Sequence, residues 1–494
     1  MHRSAARLSS SRLSLKKSSG LATDSLAFAL LGAARVCLGV RDGRSLRDGL
    51  DRQRSALEAA QSGPVAHARA ASRTSDPIGA IHDLSARALR RRGRADALLA
   101  LIADRIPDPP LLRELLVVAI ALLVDALDDR FALDASFEAR EAGLPYAPFT
   151  LVDQAVGAAA SLPELARGKN FVNAVLRNLL RRMQDEPAAL REVLCGTGAS
   201  DEARHELPSW WVTRLAGAYP DTWRDIVASS LELPPLVVRV NRRQSTRDDY
   251  LKRLDAEGIA ASSVGPSAVR FGRAMPVSRI PGFTDGVVSV QDEAAQRAGF
   301  LLDVRDGMRV LDACAAPGGK TGHLLELADL DLTAIDSDAS RLTRVQDNLD
   351  RLGLAAQLIV GDAAHPERWW DGRRFDRILV DVPCTASGIL RRHPDIRWLR
   401  REDDIVKLSR AAQHITHALW SLLNLDGKLL LVTCSVFPEE SVRHAHAFAA
   451  RHADALALAA PAQLLPVGNA NAAAGADAAV DHDGLFFALF EKMR

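Results

Sequence analysis

The first part of the chain carries apolar residues at the three- and four-residue spacing of amphipathic helices. Residues 26–33 and 171–179 show this spacing, and the apolar run at 111–127 is interrupted by charges, as in a buried helix. Glycine and proline clusters separate these stretches, and no alternating β pattern competes with them. We therefore predict an all-α domain over residues 24–185.

The middle of the chain changes character. A weakly helical segment at 186–234 is predicted to be a linker. Runs rich in β-branched residues at 236–240 and 287–290 lie on either side of a helical stretch at 248–254. This order of strand, helix and strand predicts a small α+β subdomain over residues 235–300.

From residue 307 onward, apolar runs alternate regularly with polar-faced helical stretches. Strands that alternate with helices indicate an α/β domain with a doubly wound, Rossmann-like parallel sheet, predicted here over 301–494. Ligands of such sheets bind beyond the carboxyl ends of the strands. A polar residue follows each of the five predicted strands, either at once or after one glycine. These residues are Asp312, Asp336, Asp362, Asp381 and Thr433.

Composition identifies an ordinary globular chain of 494 residues, 48% hydrophobic and 25% charged. A net charge of +1 means that any nucleic-acid surface must be a local patch. Five widely spaced cysteines favour a reducing, cytoplasmic compartment over a disulfide framework, and their spacing predicts no metal site. No apolar run approaches the ~20 residues that cross a bilayer, so no membrane segment is predicted.

Several segments have biased composition. Residues 1–23 are rich in serine and basic residues and are expected to form a disordered basic tail, while the Ala-rich stretch 469–479 is expected to be a loop. Arginines cluster at 90–94 and 177–182 on predicted helices. Such a cluster is ordinarily a solvated helix face, so these residues alone leave RNA binding an open alternative.

A Gly-rich turn follows the first strand of the α/β domain, in Asp312-Ala-Cys-Ala-Ala-Pro-Gly-Gly-Lys320. Glycines let the backbone approach a ligand, and helix N–H groups then point toward it. A P-loop would need glycine where Cys314 stands, and the three spaced glycines of a dinucleotide site are absent. The turn therefore predicts a smaller adenosyl ligand, with Asp336 placed for a ribose diol and Asp362 for the adenine amine.

Two cysteines follow the fourth and fifth strands, in Asp381-Val-Pro-Cys384 and Thr433-Cys434-Ser435. At adjacent strand ends they are expected to face one crevice, which indicates a reaction site. A thiolate can add to an electron-poor ring carbon when its pKa is lowered or a base is near. Strand-end placement suits either cysteine as the nucleophile.

The longest motif closely resembles a signature of the RsmB/Sun (Fmu) family of bacterial rRNA cytosine-C5 methyltransferases. It is Asp381-Val-Pro-Cys-Thr-Ala-Ser-Gly-Ile-Leu-Arg-Arg-His-Pro-Asp-Ile-Arg-Trp398. The turn from Cys314 to Lys320 is similar to the S-adenosylmethionine loop of that family, and Val432-Thr-Cys-Ser435 to its catalytic-cysteine motif.

The resemblance extends upstream of the α/β domain. Arg239-Val-Asn241 and Val290-Gln-Asp-Glu-Ala-Ala-Gln296 are similar to the small domain that precedes the catalytic one in that family. Residues 152–155 and 169–177 resemble its NusB-like, RNA-binding helical domain. The resemblance implies a multidomain chain: a NusB-like helical domain, a small α+β subdomain and a class I methyltransferase domain.

The resemblance also implies roles for single residues. Cys434 would attack C6 of the cytosine, and Cys384 would help to eliminate the C5 proton and the enzyme thiol. Asp381 would hold the N3 edge of the base, and Lys320 would contact the cytosine. S-adenosylmethionine would be held by Cys314, Ala315, Ala316, Pro317, Gly318, Gly319, Lys320, Asp336, Asp362 and Asp381.

The substrate implied by the resemblance is 16S rRNA, free or in a partly assembled small subunit, with specificity of the cytosine-967 type. Arg391, Arg392, His393 and Arg397 follow the Cys384 motif and are expected to bind phosphates around a flipped-out base. No metal and no membrane partner are implied, and a monomer is favoured.

Three alternatives remain at this point. The same chemistry could act on tRNA or on another rRNA cytosine. A non-catalytic RNA-binding or antitermination factor would explain the helical domain, but not the combination of Cys384, Cys434 and Asp381. A DNA cytosine methyltransferase would place its nucleophile in a Pro-Cys motif, and the second cysteine at Cys434 disfavours that assignment.

Overall fold

The computed structural model describes residues 20–61, 76–106, 108–124, 146–467 and 481–494. The chain forms two compact units, residues 1–209 and residues 210–494. Most of the predicted basic tail and the Ala-rich stretch 469–479 lie outside the described residues.

The described part of the first unit is helical throughout, as predicted. Helix α1 packs against α3, α5 and α6, and most of its side chains are buried because small and aliphatic residues occupy nearly every position. No described helix in either unit is both long and apolar enough to cross a membrane. The helices are α1 (Leu26–Arg41), α2 (Leu46–Gln61), α3 (Pro77–Arg90), α4 (Arg92–Ile102), α5 (Pro110–Ala121), α6 (Pro148–Ala160), α7 (Pro163–Ala166), α8 (Lys169–Asp185), α9 (Pro187–Cys195) and α10 (Asp201–His205).

The two arginine clusters of this unit differ in their surroundings. Arg90 and Arg92 are buried, and both Nη atoms of Arg92 donate to the Glu114 carboxylate at 2.9 and 3.0 Å. A buried ion pair of this kind joins α4 to α5. Arg177 and Arg181 on α8 are exposed. Arg177 and Arg181 are therefore more accessible than Arg90 and Arg92.

The second unit begins with two helices and a small antiparallel sheet in the order β2-β3-β1-β4. β1, α13 and β4 lie where the apolar pattern predicted them, whereas β2 and β3 were not predicted. The elements are α11 (Ser209–Ala218), α12 (Trp223–Leu231), β1 (Val237–Val240), α13 (Arg247–Ala256), β2 (Ala261–Ser263), β3 (Ala268–Phe271) and β4 (Val288–Val290).

A seven-stranded sheet follows, in the order β10-β11-β9-β8-β5-β6-β7. All five predicted strands form and pair in parallel, but β10 and β11 run antiparallel at one side, so the sheet is mostly parallel. The elements are α14 (Glu293–Leu301), β5 (Arg309–Ala313), α15 (Gly319–Leu327), β6 (Asp331–Asp336), α16 (Ala339–Leu352), β7 (Gln357–Val360), β8 (Phe375–Asp381), α17 (Ile396–Leu399), α18 (Glu402–Trp420), β9 (Leu423–Thr433), α19 (Val442–Arg451), β10 (Ala455–Leu464) and β11 (Leu485–Lys492).

Both faces of this sheet are covered by apolar side chains. One buried cluster includes Ile378 and Leu431, and the other, on the opposite face, includes Leu379 and Leu430. Residues next to each other in a strand thus contribute to different clusters, as expected for a sheet buried on both sides. This double burial holds the carboxyl ends of β5, β6, β8 and β9 in fixed register.

Candidate active site

The two cysteines lie at the ends of neighbouring strands. β8 and β9 pair in parallel, with Asp381 opposite Val432, so the residues just beyond both strands emerge at the same edge. The Sγ atoms of Cys384 and Cys434 are 3.5 Å apart. Cys384 is buried and Cys434 is partly exposed. Two thiols are therefore held within sulfur hydrogen-bond distance.

The contact between the sulfurs shifts the pKa values of the two thiols in opposite directions. The hydrogen bond with Cys434 lowers the pKa of Cys384, although burial opposes this shift. The same hydrogen bond, burial, and the charges of Cys384 and Asp381 raise the pKa of Cys434, against the opposing charge of Lys320. Of the two thiols, Cys384 therefore loses its proton first.

An ion pair lies next to the cysteines. Lys320, the second residue of α15, places its Nζ 2.6 Å from Oδ2 of Asp381 at the end of β8. Burial opposes the charge on Lys320, but the Asp381 carboxylate, together with Cys434 and Asp312, raises the pKa of Lys320. The site thus holds a permanent ammonium donor beside two thiols.

The predicted cofactor turn links β5 to α15. Cys314 and Gly318 both adopt left-handed backbone conformations, with φ of 61° and 94°. A Cβ atom on Gly318 would lie 3.1 Å from the Cα atom of Val345 in α16, so only glycine lets the turn pack this closely. The Asp336 carboxylate accepts a hydrogen bond from Ala316 N at 3.2 Å and thereby braces the turn.

The acids around this turn suit a positively charged ligand rich in hydrogen-bond donors. Asp336 is nearly buried, Asp381 is partly exposed, and Asp362 is exposed just beyond β7. S-adenosylmethionine carries ammonium, sulfonium and ribose hydroxyl groups, so this donor set fits it chemically. Among the residues that the structure describes, no group of three or more His, Cys, Asp or Glu side chains could hold a metal ion.

The small antiparallel sheet contacts the same turn through a buried arginine. Arg239 on β1 donates to the Gly319 carbonyl oxygen at 2.8 Å and to Oε1 of Gln291 at 2.5 Å. Its guanidinium also pairs with Glu326 of α15 at 2.6 Å. The resemblance in the Arg239 and Gln291 motifs therefore corresponds to a contact that anchors the start of α15.

A buried carboxyl group underlies the site. Asp312, the residue before the last one of β5, accepts a 2.6 Å hydrogen bond from the Thr321 hydroxyl. Burial raises the pKa of Asp312 from 3.8 to about 7. A pKa that is higher in the folded than in the unfolded chain means that ionisation destabilises the fold increasingly between these two pH values.

We expect the substitution Asp312→Asn to change the pH dependence of stability. The amide oxygen can still accept the Thr321 hydrogen bond, but the variant has no carboxylate to ionise. The melting temperature of the variant, relative to the native chain, should therefore rise between pH 5 and pH 8, as followed by thermal unfolding at both pH values. A difference that does not change with pH would contradict the buried, titrating Asp312.

The predicted phosphate-binding arginines are mostly unavailable, and this corrects the expectation for two of them. Arg391 is 1% exposed and pairs with Asp481 at 2.5 Å and Asp483 at 2.7 Å. Arg397 is fully buried and donates to the Ser230 carbonyl oxygen. RNA phosphates cannot reach buried guanidinium groups that already have partners.

The other two residues of that segment remain predicted RNA contacts. Arg392 is partly exposed but pairs with Asp292 at 2.8 Å and with Asp483. His393 is exposed.

Sequence reasoning missed the polar groups that brace the two cysteines. Thr385 and Ser435 directly follow Cys384 and Cys434, and both side chains bond to the buried carboxylate of Glu440. The available signal was Glu440, a charged residue shortly after the strand end that carries Cys434. Its role cannot be inferred from the sequence, because its partner Thr385 lies 55 residues earlier.

Two segments of the chain match known families. Residues 299–491 match the family described as 16S rRNA methyltransferase RsmB/F. Residues 207–278 match the family described as Methyltr_RsmF/B-like, ferredoxin-like domain. The second match includes three of the four strands of the small antiparallel sheet.

Solved structures share the fold. The chain named PH0851 aligns over 94% of this chain and 99% of its own length, with a TM-score of 0.68 and 23% identity. NSun6 from Pyrococcus horikoshii, solved with SFG, aligns over 59% of this chain and 99% of its own, with a TM-score of 0.51 and 18% identity.

Curated relatives are more similar in sequence. Ribosomal RNA small subunit methyltransferase B from Serratia proteamaculans is 41% identical over 328 residues, which cover 66% of this chain and 73% of the relative. The protein of the same name from Proteus mirabilis is 41% identical over 62% of this chain and 74% of its own length. On this evidence the chain belongs to the RsmB/F family of methyltransferases.

Proposed function

We propose that this protein transfers a methyl group from S-adenosylmethionine to C5 of a cytosine in 16S rRNA. The observation that carries the proposal is the pair of thiols, 3.5 Å apart, beside the ion pair of Lys320 and Asp381. The rRNA substrate is supported by the names of the curated relatives. Specificity of the cytosine-967 type belongs to the same proposal.

The cofactor would be held at the turn after β5. The backbone from Cys314 to Lys320, together with Asp336, Asp362 and Asp381, supplies the acceptors for its ammonium and ribose groups. When bound, S-adenosylmethionine supplies an electrophilic methyl group. The chain contributes the close-packed turn at Gly318, which allows the ligand to approach the backbone.

Cys434 is proposed as the nucleophile. Its sulfur forms a bond to C6 of the cytosine, and the electron pair of the C5–C6 double bond then makes C5 nucleophilic. Asp381 orients the N3 edge of the ring, and the Lys320 ammonium donates hydrogen bonds as negative charge builds up. The 2.6 Å contact between these two side chains supports their action as a unit.

Cys384 is proposed to act as the general base during release of the product. Its sulfur lies 3.5 Å from that of Cys434, and the hydrogen bond between the two sulfurs lowers the pKa of Cys384. Cys434 loses its proton to water before it attacks, and Cys384, as a thiolate, later accepts the C5 proton of the methylated ring. The electron pair of the broken C–H bond restores the C5–C6 double bond and expels Cys434 from C6.

The helical unit offers a surface for RNA on α8. Lys169, Arg177 and Arg181 are exposed and lie at four-residue intervals or their multiples, whereas Val172 and Leu176 of the same helix are buried. Such a basic stripe can follow a phosphate backbone.

An exposed aromatic ring lies next to the stripe. Phe149 is 74% exposed, and the Arg177 guanidinium carbon lies 5.6 Å from its ring centroid. Lys169, Asn170 and Asn173 also line a cavity of about 650 Å³. Exposed aromatics beside basic groups stack unpaired bases, so this surface supports binding of single-stranded RNA.

Deletion of residues up to Pro208 should separate RNA binding from cofactor binding. The boundary of the first compact unit lies beside this position, at Ser209. We expect weaker RNA binding in a filter or gel-shift assay and nearly unchanged S-adenosylmethionine affinity by calorimetry. Loss of cofactor affinity would show that the helical unit does not serve RNA binding alone.

The proposed reaction is tested directly with purified protein, a 16S rRNA transcript and methyl-labelled S-adenosylmethionine. Digestion to nucleosides should show the label in 5-methylcytidine, at one site when the RNA is mapped. A tRNA mixture assayed in parallel should remain unlabelled. Label in tRNA alone would favour the alternative substrate, and no label in either RNA would overturn the proposal.

A further inference from the structure

One buried carboxylate connects the two cysteine-bearing loops. Glu440 is 1% exposed, and its Oε1 atom accepts a hydrogen bond from the backbone N–H of Thr385 at 2.8 Å. Its Oε2 atom accepts from the hydroxyls of Thr385 and Ser435, both at 2.5 Å. Because these residues directly follow Cys384 and Cys434, one side chain binds both loops.

Further hydrogen bonds cross between the loops behind the sulfurs. The Ser387 and Ser435 hydroxyls are 2.9 Å apart, and Val436 N donates to Ser387 Oγ at 2.9 Å. Gly388 N donates to the Cys434 carbonyl oxygen at 2.8 Å. Polar networks in a low-dielectric interior hold their members in one arrangement when every member is satisfied.

Arg400 supports the first loop from another direction. Its Nε atom donates to the Thr385 carbonyl oxygen at 3.1 Å, and its Nη2 atom donates to the Cys384 carbonyl oxygen at 3.2 Å. The Arg400 guanidinium therefore holds the backbone carbonyl groups of two successive residues of this loop. Glu440 is the member of this network that contacts both loops through one functional group.

We propose that Glu440 is a positioning residue that sets the spacing and orientation of Cys384 and Cys434. It hydrogen-bonds to neither sulfur and positions them through Thr385 and Ser435, while its charge also raises the pKa of Cys384. Packing alone would be served by an apolar side chain, since burying a carboxylate is costly unless it is well hydrogen-bonded. Burial raises the pKa of Glu440, and the hydrogen bonds from Ser435 and Thr385 oppose that shift. The effect on catalysis rests on the proposed function, whereas the effect on the loops does not.

The test compares Glu440→Gln with Glu439→Gln. In the first variant an amide nitrogen must replace one of the two acceptor oxygens that hold the loops. The second variant is a matched control, because the neighbouring Glu439 carboxylate pairs with Arg443 at 3.1 Å and Arg214 at 3.5 Å instead. Both changes remove one negative charge from the same turn.

The first readout needs no enzymatic activity. Alkylation of each cysteine by iodoacetamide is followed by mass spectrometry, with the exposed Cys195 as the internal reference. The rates are measured over a range of pH and compared for the fully ionised thiols, because the Glu440 charge also raises the pKa of Cys384. Loss of a buried hydrogen bond should open the Cys384 loop more often, so Glu440→Gln should accelerate alkylation of Cys384 by about tenfold. Glu439→Gln should match the native chain. Equal rates in all three proteins would overturn the inference.

The second readout is single-turnover methyl transfer. We expect Glu440→Gln to slow this step by about tenfold or more, with unchanged KM for RNA and full binding stoichiometry for S-adenosylhomocysteine. A merely structural role would lower that stoichiometry instead. If the native chain transfers no methyl group, the proposed function fails, and the alkylation rates still decide the role of Glu440.

Two further variants keep the inference testable if Glu440→Gln does not fold. Thr385→Val and Ser435→Ala each remove one hydroxyl that bonds to Glu440. Each should accelerate Cys384 alkylation by a smaller factor than the loss of Glu440. If all three variants fold, combining either change with Glu440→Gln should add little, because both act on one network. Independent, fully additive effects would contradict the proposed connection.

Discussion

The substitution Cys434→Ser is expected to abolish both methyl transfer and the covalent protein–RNA adduct. A serine hydroxyl has no accessible anionic form near neutral pH, so it cannot add to C6 as a thiolate does. The measurement is a methyl-transfer assay together with a denaturing gel of protein incubated with RNA and cofactor. We expect activity to fall below detection with S-adenosylmethionine binding retained.

The control for this change is Cys195→Ser. Cys195 ends α9 in the helical unit and is exposed, so its replacement should leave methyl transfer unchanged. A trapped adduct in Cys434→Ser, with none in a Cys384 variant, would assign the nucleophile to the Pro-Cys motif. That outcome would overturn the roles proposed for both thiols.

The substitution Cys384→Ala should have the opposite signature, with a covalent protein–RNA species that accumulates. Without this thiol the C5 proton has no acceptor beside the ring, so release of Cys434 stalls after methyl transfer. A slow band on a denaturing gel should contain equal amounts of protein and RNA. Nuclease treatment should collapse that band to the free protein.

Attack by Cys434 should persist in this variant for an electrostatic reason. The hydrogen bond to Cys384 is the largest contribution that raises the pKa of Cys434, and the charge of Cys384 also contributes. Alanine removes both contributions and so lowers the pKa of Cys434, with Lys320 still favouring the thiolate and burial and the Asp381 charge still opposing it. The absence of any adduct in Cys384→Ala would show that Cys384 is required for attack itself.

The carboxyl ends of the parallel strands could be predicted from the sequence because each strand is a short apolar run with a polar residue after it. Asp312, Asp336 and Asp381 follow this pattern. In the structure Asp336 and Asp381 end their strands, and Asp312 is the residue before the last one of β5. The order of the strands in the sheet then determines which of these strand ends lie side by side. The sequence could indicate adjacent cysteines but not the 3.5 Å distance between them.

The antiparallel side of the sheet shows what local patterns miss. Strand β10, Ala455–Leu464, is rich in alanine and contains Pro461, and both residue types are depleted in strands. It forms because β11 supplies a hydrogen-bonding partner, and the register shifts between Leu458 and Ala462. Tertiary pairing thus outweighs the local preference of these residues.

The arginines after Cys384 show why a sequence pattern of charged residues does not suffice to predict an exposed surface. In the sequence, Arg391 and Arg397 cannot be distinguished from a solvated basic face. Asp481 and Asp483, which lie about 90 residues later, bury and neutralise Arg391 in the folded chain. A charge pattern predicts a surface only when no distant partner of opposite charge exists.

Bisulfite sequencing of 16S rRNA and tRNA from a strain that lacks this protein tests the central claim most directly. We predict that a single 16S cytosine loses its methyl mark, and that the intact gene restores the mark whereas the Cys434→Ser variant does not. Methylation that is unchanged in both RNAs of the deletion strain would contradict the account.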